Sequence, residues 1–359
     1  NIVFPGFTAP KLHWLRAHAP AMADQVAKVL LPKDYLRLWL TGEHVGEMSD
    51  AAGTSWLDTG ARDWSDSLLD ASGLTRDAMP RLVEGSAPSG TLRAALAERW
   101  GFAPSVTVAG GGGDNAATAV GMGVVSAGQA FVSLGTSGVL FAANDGYAPD
   151  AATAVHTFCH ALPGTWHQMG VILAATDALN WFAALTGATT EALTAALGPA
   201  QAPSRTLFLP YLGGERTPLN SASVRGAFVG LEHATDRAAA TRAVLEGVAF
   251  ALRDCRDALA ATGTQIDTLL AAGGGSRSET WLEILATALD TPIHIPEAGD
   301  YGAAFGAARL AMMSDTGDTS IATRPPIRHT IAPRSDLTSA FDDGAARYRA
   351  AAQAMVTLT

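Results

Sequence analysis

Short apolar runs along the chain end in glycine clusters and hand over to helical stretches rich in small residues, and two of these units share one grammar. In the first, at 106–123 (VTVAGGGGDNAATAVGMG), the apolar run predicts a strand, the glycines a tight turn, and DNAATAV a helix beginning at Asp114. The second, IDTLLAAGGGSRSETWLEILATALDTPI, predicts a strand, a turn at Gly273, Gly274 and Gly275, and a helix from about Ser278. Between them, QAFVSLGTSGVLFAAND reads as two apolar strands around the turn Gly135-Thr136-Ser137-Gly138, a β-hairpin.

Other segments predict the scaffold. A helix starts near Pro10 with Leu12 and Leu15 as its apolar pair, and 21–30 continues helical. LLPKDYLRLWLTGE predicts a helix ending at Gly42, whose Tyr35, Leu36, Trp39 and Leu40 stripe reads as core packing. A polar loop around Ser49 and Asp50 precedes a short strand at 54–57. GVILAATDALNWFAAL, from Gly170, predicts a helix carrying Leu173, Leu179, Trp181 and Phe182. Residues 207–231 predict two strands joined by a polar loop with Glu215, Arg216 and Arg225, whose arginines face a phosphate or, the preferred reading, salt-bridge the loop, and Thr235 then caps a long helix. EAGDYGAAFGAARLA predicts a helix start whose Gly and Ala serve close helix packing. The extended stretch 323–334 leads into a final amphipathic helix with Leu337, Phe341, Tyr348, Ala352 and Met355 on one stripe.

Chemistry concentrates at Asp114. Glycines let another molecule approach the backbone, and a helix N-terminus favours negative charge. A carboxylate at the mouth of a strand-turn-helix unit can accept the proton of a substrate hydroxyl as a general base. The residues alone leave a capping role equally open. The run Gly111-x-Gly113-x-x-Ala116 also fits a dinucleotide-binding fingerprint, but the acid expected about twenty positions on is absent, FVSLGTSG standing there. The hairpin turn at 135–138 can cradle phosphate oxygens or be an ordinary turn. Ser49, Asp50 and Thr54 suit a polyol cleft or a capping and turn role equally. His156, Cys159, His160 and His167 lack the second cysteine of a paired zinc unit, so no metal ligand is assigned.

Composition narrows the class. At 359 residues with 48% hydrophobic content, the chain has length for two domains with packed cores. A formal charge of −10 without a basic cluster argues against nucleic acid and anionic membranes as partners. With only Cys159 and Cys255 and no apolar span or secretory pattern, the expectation is a soluble, cytoplasmic protein.

Taken in order, PGFTAPKLHWL, LLPKDYLRLWLTGE, MSDAAGT, GGGGDNAATAVG, SLGTSG, GERTP, RGAFVGL and GGGSRSETW resemble the FGGY carbohydrate kinases across almost the whole chain, with the greatest likeness to members acting on D-xylulose. The resemblance implies an α/β, actin-like ATPase (ribonuclease H-like) fold, two domains around a central cleft with the first incomplete. Residues 1–123 then form the remainder of a sugar-binding domain and 124–359 an ATP-binding domain. It makes Asp114 the general base, with Asn115 beside it on the sugar. Gly135, Thr136 and Ser137 become a phosphate loop, and Gly274, Gly275 and Glu279 part of the adenosine site. Thr176 aligns more loosely with an ATP-contacting position, and Ser276, after the glycines, suits binding to the nucleoside. The implied reaction is ATP-dependent and Mg²⁺-assisted phosphorylation of a small sugar, and a homodimer is compatible with the likeness. The family's first phosphate loop, an Asp-x-Gly-Thr hairpin, lies in an N-terminal segment that these residues do not contain. Since phosphoryl transfer rests on positioning and charge neutralisation, the 359 residues alone are expected to be nearly inactive. A coupled ADP-release assay checks this, and ordinary xylulose-dependent turnover would refute it.

Overall fold

The structure, a computed structural model, describes residues 1–297 and 302–358. Its centre is a seven-stranded sheet, labelled in chain order: β1 (Gly128–Leu134), β2 (Gly138–Asn144), β3 (His156–Cys159), β4 (Trp166–Ile172), β5 (Ile266–Ala272), β6 (Ile293–Pro296) and β7 (Ile327–Ile331). The spatial order is β7-β6-β5-β1-β2-β4-β3. β1, β2 and β4 form an antiparallel meander, and β5 and β6 run parallel to β1 on its other side. This is the ribonuclease H-like arrangement of the actin-like ATPases that the sequence resemblance implies.

The near-continuous apolar run of β1 follows from burial on both faces. Ala130, Val132 and Leu134 point toward the long helix Arg237–Ala261, against Val244, Leu245 and Val248. Phe131 points the other way, with Phe141 and Leu270, against Ala119 and Met122 of the helix α1 (Asp114–Gly121) and its end. Helix Ala303–Thr316 closes over α1. Its Gly306 comes so near that an added Cβ would sit 1.7 Å from the Ala117 carbonyl oxygen, bearing out the close-packing reading of that segment. The Ala298–Tyr301 part of EAGDYG lies outside the described residues.

The N-terminal part packs around Trp56, Trp64 and Leu69, with Val45–Glu47 pairing parallel to Arg81–Val83. Here the hydrophobic pattern misleads. Helix Pro32–Thr41 forms and stops at Gly42 as expected, but Tyr35, Leu36 and Trp39 are 62%, 61% and 48% exposed, and its buried residues are Asp34 and Arg37. The charged side turns inward because its charges satisfy one another. Arg37 Nη1 reaches Asp34 Oδ1 at 2.7 Å and the Val45 carbonyl at 2.6 Å, and Lys33 reaches Asp34 at 2.8 Å. Helix does not continue through 21–30. It ends at Ala23, because the Val29 N–H pairs with the Ala78 carbonyl at 2.9 Å and Pro32 disfavours helix before it.

Three further expectations shift. Gly170–Ile172 finishes β4, and the helix α2 spans only Thr176–Thr186, because the meander claims the strand. Asp236, one residue after Thr235, caps the long helix by accepting the Ala239 N–H at 2.8 Å. Arg225 donates to the Ala222 and Val224 carbonyls, and the Arg216 guanidinium lies 4.7 Å over the Phe4 ring, so carbonyls and a ring hold that loop in place of salt bridges.

One core carboxyl carries a pH signature. Glu246 lies buried in the long helix, its Oε1 without a partner among the described residues. Burial pushes it up to about 8, against a weaker pull from Arg242 and Arg347. Folding thus retains a proton that the unfolded chain loses near pH 4–5, so this group's support is full at low pH and fades as pH rises toward 8. Glu246→Gln should match the parent's thermal midpoint near pH 5 and exceed it by a few degrees near pH 8, read from unfolding curves at both values. Parallel curves at both pH values would contradict the assignment.

Candidate active site

Asp114 is the first residue of α1, and Gly113 occupies the N-cap position with φ −59° and ψ 154°. The N-cap position thus offers no side chain, and Asp114 itself takes up one N–H of the first turn. Oδ1 accepts the Asn115 N–H at 2.7 Å and Asn115 Nδ2 at 3.0 Å, fixing the carboxylate, which is exposed. No donor reaches Oδ2 among the described residues.

The turn before it is built by close chain contacts. Gly111 has φ +79°, and a Cβ on Gly110 would lie 2.3 Å from the Glu84 carbonyl oxygen. The Gly111 N–H donates to Gly85 at 2.9 Å, and Arg37 Nη2 donates to the Gly110 carbonyl. From the other side comes Glu47, fully buried, accepting the Ser49 N–H at 2.7 Å, the Ser49 hydroxyl at 2.8 Å and the Asp50 N–H at 2.8 Å. Lys33 Nζ adds an ion pair at 3.1 Å. Ser49 Oγ in turn accepts the Gly113 N–H at 2.9 Å. One chain of bonds thus runs from a buried carboxylate to the residue before Asp114.

Below Asp114 lies a cavity of about 140 Å³, lined by Ser49, Asp50, Asp114 and Asn115 and, from the sheet, Phe158, His167 and Met169. Burial raises the Asp50 carboxyl above its ordinary range. Lys33 at 3.4 Å opposes that, and Glu47 and Asp34 add to it. Burial also acts against the Lys33 ammonium, but Glu47, Asp34 and Asp50 outweigh it and hold its pKa above the usual value. Thr54 is not on the cavity. Its hydroxyl donates to Ala51 at 2.7 Å and accepts the Trp56 N–H at 3.1 Å, the turn role.

A second cavity, about 620 Å³, is lined by Thr176 and Asn180 of α2, by Thr190, Glu191 and Thr194 of the helix Thr190–Ala195, and by Gly274, Gly275, Arg277 and Glu279. Gly275 must lack a side chain, since a Cβ would approach Leu134 Cβ to 2.8 Å and Thr176 Cγ2 to 3.1 Å. The hairpin tip stands exposed at Thr136 and Ser137 and is docked on this wall. Gly135's carbonyl accepts the Thr176 N–H at 2.9 Å and its hydroxyl at 2.8 Å, and Thr136's accepts the Ala175 N–H at 2.8 Å. Ser276 does not line the cavity. Its hydroxyl is spent on the Gly273 carbonyl at 2.7 Å. Glu279 sits exposed at the rim, 3.4 Å from His329 Nε2 and 3.8 Å from Arg328. A cleft of about 420 Å³, lined by Thr118, Met122, Ser133, Gly273 and Phe305, separates the helix of Asp114 from the hairpin base and the glycine turn.

Residues 1–121 match the FGGY family of carbohydrate kinases, N-terminal domain, and residues 130–314 match the C-terminal domain of the same family. The chain belongs to the FGGY family of carbohydrate kinases. It is 50% identical over 323 residues to a xylulose kinase of Escherichia coli K12, covering 89% of this chain and 66% of that one. To a xylulose kinase of Klebsiella pneumoniae it is 51% identical over 313 residues, covering 87% and 64%. The chain thus spans a little under two thirds of the length of these curated relatives. The crystal structure of a "xyloylose kinase" from Brucella ovis superposes with a TM-score of 0.98 at 58% identity, over 100% of this chain and 75% of that one.

Sequence reasoning missed the FGGY chain's second cavity wall and the sheet side of the first. Helix Thr190–Ala195 has only six residues, and its available signal was Thr189, whose hydroxyl accepts the Ala192 N–H at 3.2 Å. His167 read as a rejected metal ligand. It stacks on Phe141 with centroids 4.6 Å apart, and burial, then His160, lowers its pKa well below the ordinary value, so the ring is neutral.

Ser49→Ala should leave the Gly113 N–H without its acceptor and Glu47 without one donor, costing about 1–3 kcal/mol of stability. Amide exchange at Gly113 and Asn115 should quicken, with Ser49→Thr restoring protection. Unchanged exchange in the alanine variant would remove Ser49 from this role.

Proposed function

We propose that this FGGY kinase catalyses ATP-dependent phosphorylation of D-xylulose to D-xylulose 5-phosphate in the cytoplasm. Likeness to xylulose kinases at 50% and 51% identity supports the sugar. The observation that carries the chemistry is an Asp114 carboxylate whose Oδ1 is tied to Asn115, whose Oδ2 meets no donor among the described residues, and which lines a cavity with Ser49, Asp50 and Asn115.

In this reading the sugar occupies the cavity of Ser49, Asp50, Asp114 and Asn115. Asp114 accepts the proton of the hydroxyl that receives phosphate. The larger cavity suits a nucleoside: Gly274 and Gly275 let the ring approach the backbone, while Thr176 and Glu279 border it. Phosphate oxygens meet the exposed Thr136 and Ser137 hydroxyls and the turn's N–H groups. Mg²⁺ enters with the triphosphate and supplies charge neutralisation. No group of three His, Cys, Asp or Glu side chains among the described residues offers it an all-protein site. No helix among the described residues is long and apolar enough to cross a membrane.

Asp114→Asn, in the protein expressed from its full reading frame, keeps size and removes basicity. It should lower kcat by roughly 10²–10⁴-fold while leaving the ATP dissociation constant nearly unchanged. Steady-state kinetics with D-xylulose and calorimetry with ATP read the two quantities. Parental turnover in the variant would remove Asp114 from the base role.

A further inference from the structure

The cavity beneath Asp114 has two unlike walls. One, made by Ser49, Asp50 and the first turn of α1, was legible in the sequence. The other belongs to the sheet: along β4, Gln168 and Gly170 turn toward the long helix, Gln168 accepting from Thr262 at 3.0 Å and Gly170 packing on Cys255. His167 and Met169 therefore turn to the opposite face, the side of α1 and the cavity.

His167 is the polar group on that face, and its situation is unusual for a buried side chain. It is 2% exposed; the ring hydrogen-bonds the Cys159 backbone, while Nδ1 has no hydrogen-bond partner among the described residues. Burial without a partner is costly for a polar nitrogen, a cost removed when a ligand supplies the partner. The ring cannot easily turn elsewhere. It stacks on Phe141 at 4.6 Å and meets Phe158 edge-on at 5.9 Å and His160 edge-on at 6.0 Å. His160 also has an unpartnered Nδ1, but its Nε2 lies 3.1 Å from the Val124 carbonyl oxygen and the residue does not line the cavity.

We propose that His167 is a sugar-recognition residue, its imidazole hydrogen-bonding a hydroxyl of the acceptor sugar opposite Asp114. The inference rests on the sugar reading of this cavity and adds the sheet wall to it. The sugar is then held from two sides, by the loop and α1 on one and by β4 on the other. A hydroxyl at the right position is selected because a sugar lacking it leaves both partners unpaired.

The test compares the parent, His167→Phe and His167→Gln, in the protein expressed from its full reading frame, with D-xylulose and its monodeoxy derivatives. In the parent one monodeoxy sugar should be disfavoured in kcat/KM by roughly ten- to hundred-fold, and in His167→Phe that discrimination should collapse. The KM for D-xylulose should rise by a similar factor and the KM for ATP stay put, with His167→Gln recovering part of the loss. Discrimination equal to the parent's in a folded variant would overturn the inference. A uniform loss of ATP binding and thermal stability in both variants would overturn it too, as the mark of a packing role. A parent that phosphorylates glycerol or gluconate in preference to D-xylulose would instead fail the functional reading, and that is decided before any variant is compared.

Discussion

A buried carboxylate with all its partners in place organises the candidate active site of this molecule. Glu47 is out of water, a position that disfavours its charge unless donors and cations meet it. Two N–H groups, one hydroxyl and Lys33 do so. Because the hydroxyl is that of Ser49, and Ser49 also takes the Gly113 N–H, satisfying Glu47 and positioning the start of α1 are one event. Asp114 takes up the Asn115 N–H of the first turn through Oδ1 alone, and its Oδ2 meets no donor among the described residues.

Much of this was readable in the sequence, and the failures share a cause. The hairpin at 135–138, the helix start at Asp114 and the glycine turn at 273–275 are set by local chemistry: turn residues between apolar strands, and small residues where the chain must approach itself. Helix Pro32–Thr41 was read inside out because periodicity counts apolar side chains and cannot see that Arg37 and Lys33 have partners 8 to 17 residues away, at Val45, Glu47 and Asp50. The segment from Gly170 looked helical because a strand buried on both faces and an apolar helix have similar composition. His167 could not be placed at all. Its meaning depends on which face of β4 it occupies, a fact set by pairing with β2 and by α1 on the other side.

The repeated strand-glycine-helix grammar shows how one local pattern builds two different helix entries. Both units turn on a left-handed glycine, Gly111 at φ +79° and Gly273 at φ +83°. After Gly111 the chain enters α1 within three residues, which brings a side chain of the first turn to the mouth of the cavity. After Gly273 a 3₁₀ turn, Gly274–Arg277, intervenes before Ser278 caps the next helix. That extra turn spends the Ser276 hydroxyl on the Gly273 carbonyl and leaves bare backbone at Gly274 and Gly275 facing the larger cavity. The short entry sets an acid on the smaller cavity, and the long entry sets bare backbone on the larger one.

The two sites are also linked through the hairpin. Thr176 holds the Gly135 carbonyl with both its N–H and its hydroxyl while lining the larger cavity, and Gly275 packs against Thr176 and Leu134 together. Anything seated on that wall therefore touches the residues that fix the hairpin tip, and the strand β1 behind the tip packs through Phe131 on the helix that Asp114 begins. Closely packed interiors transmit such displacements because few voids absorb them. The position of the exposed hydroxyls at Thr136 and Ser137 relative to Asp114 is accordingly set through the sheet core, by the packing of β1 on α1.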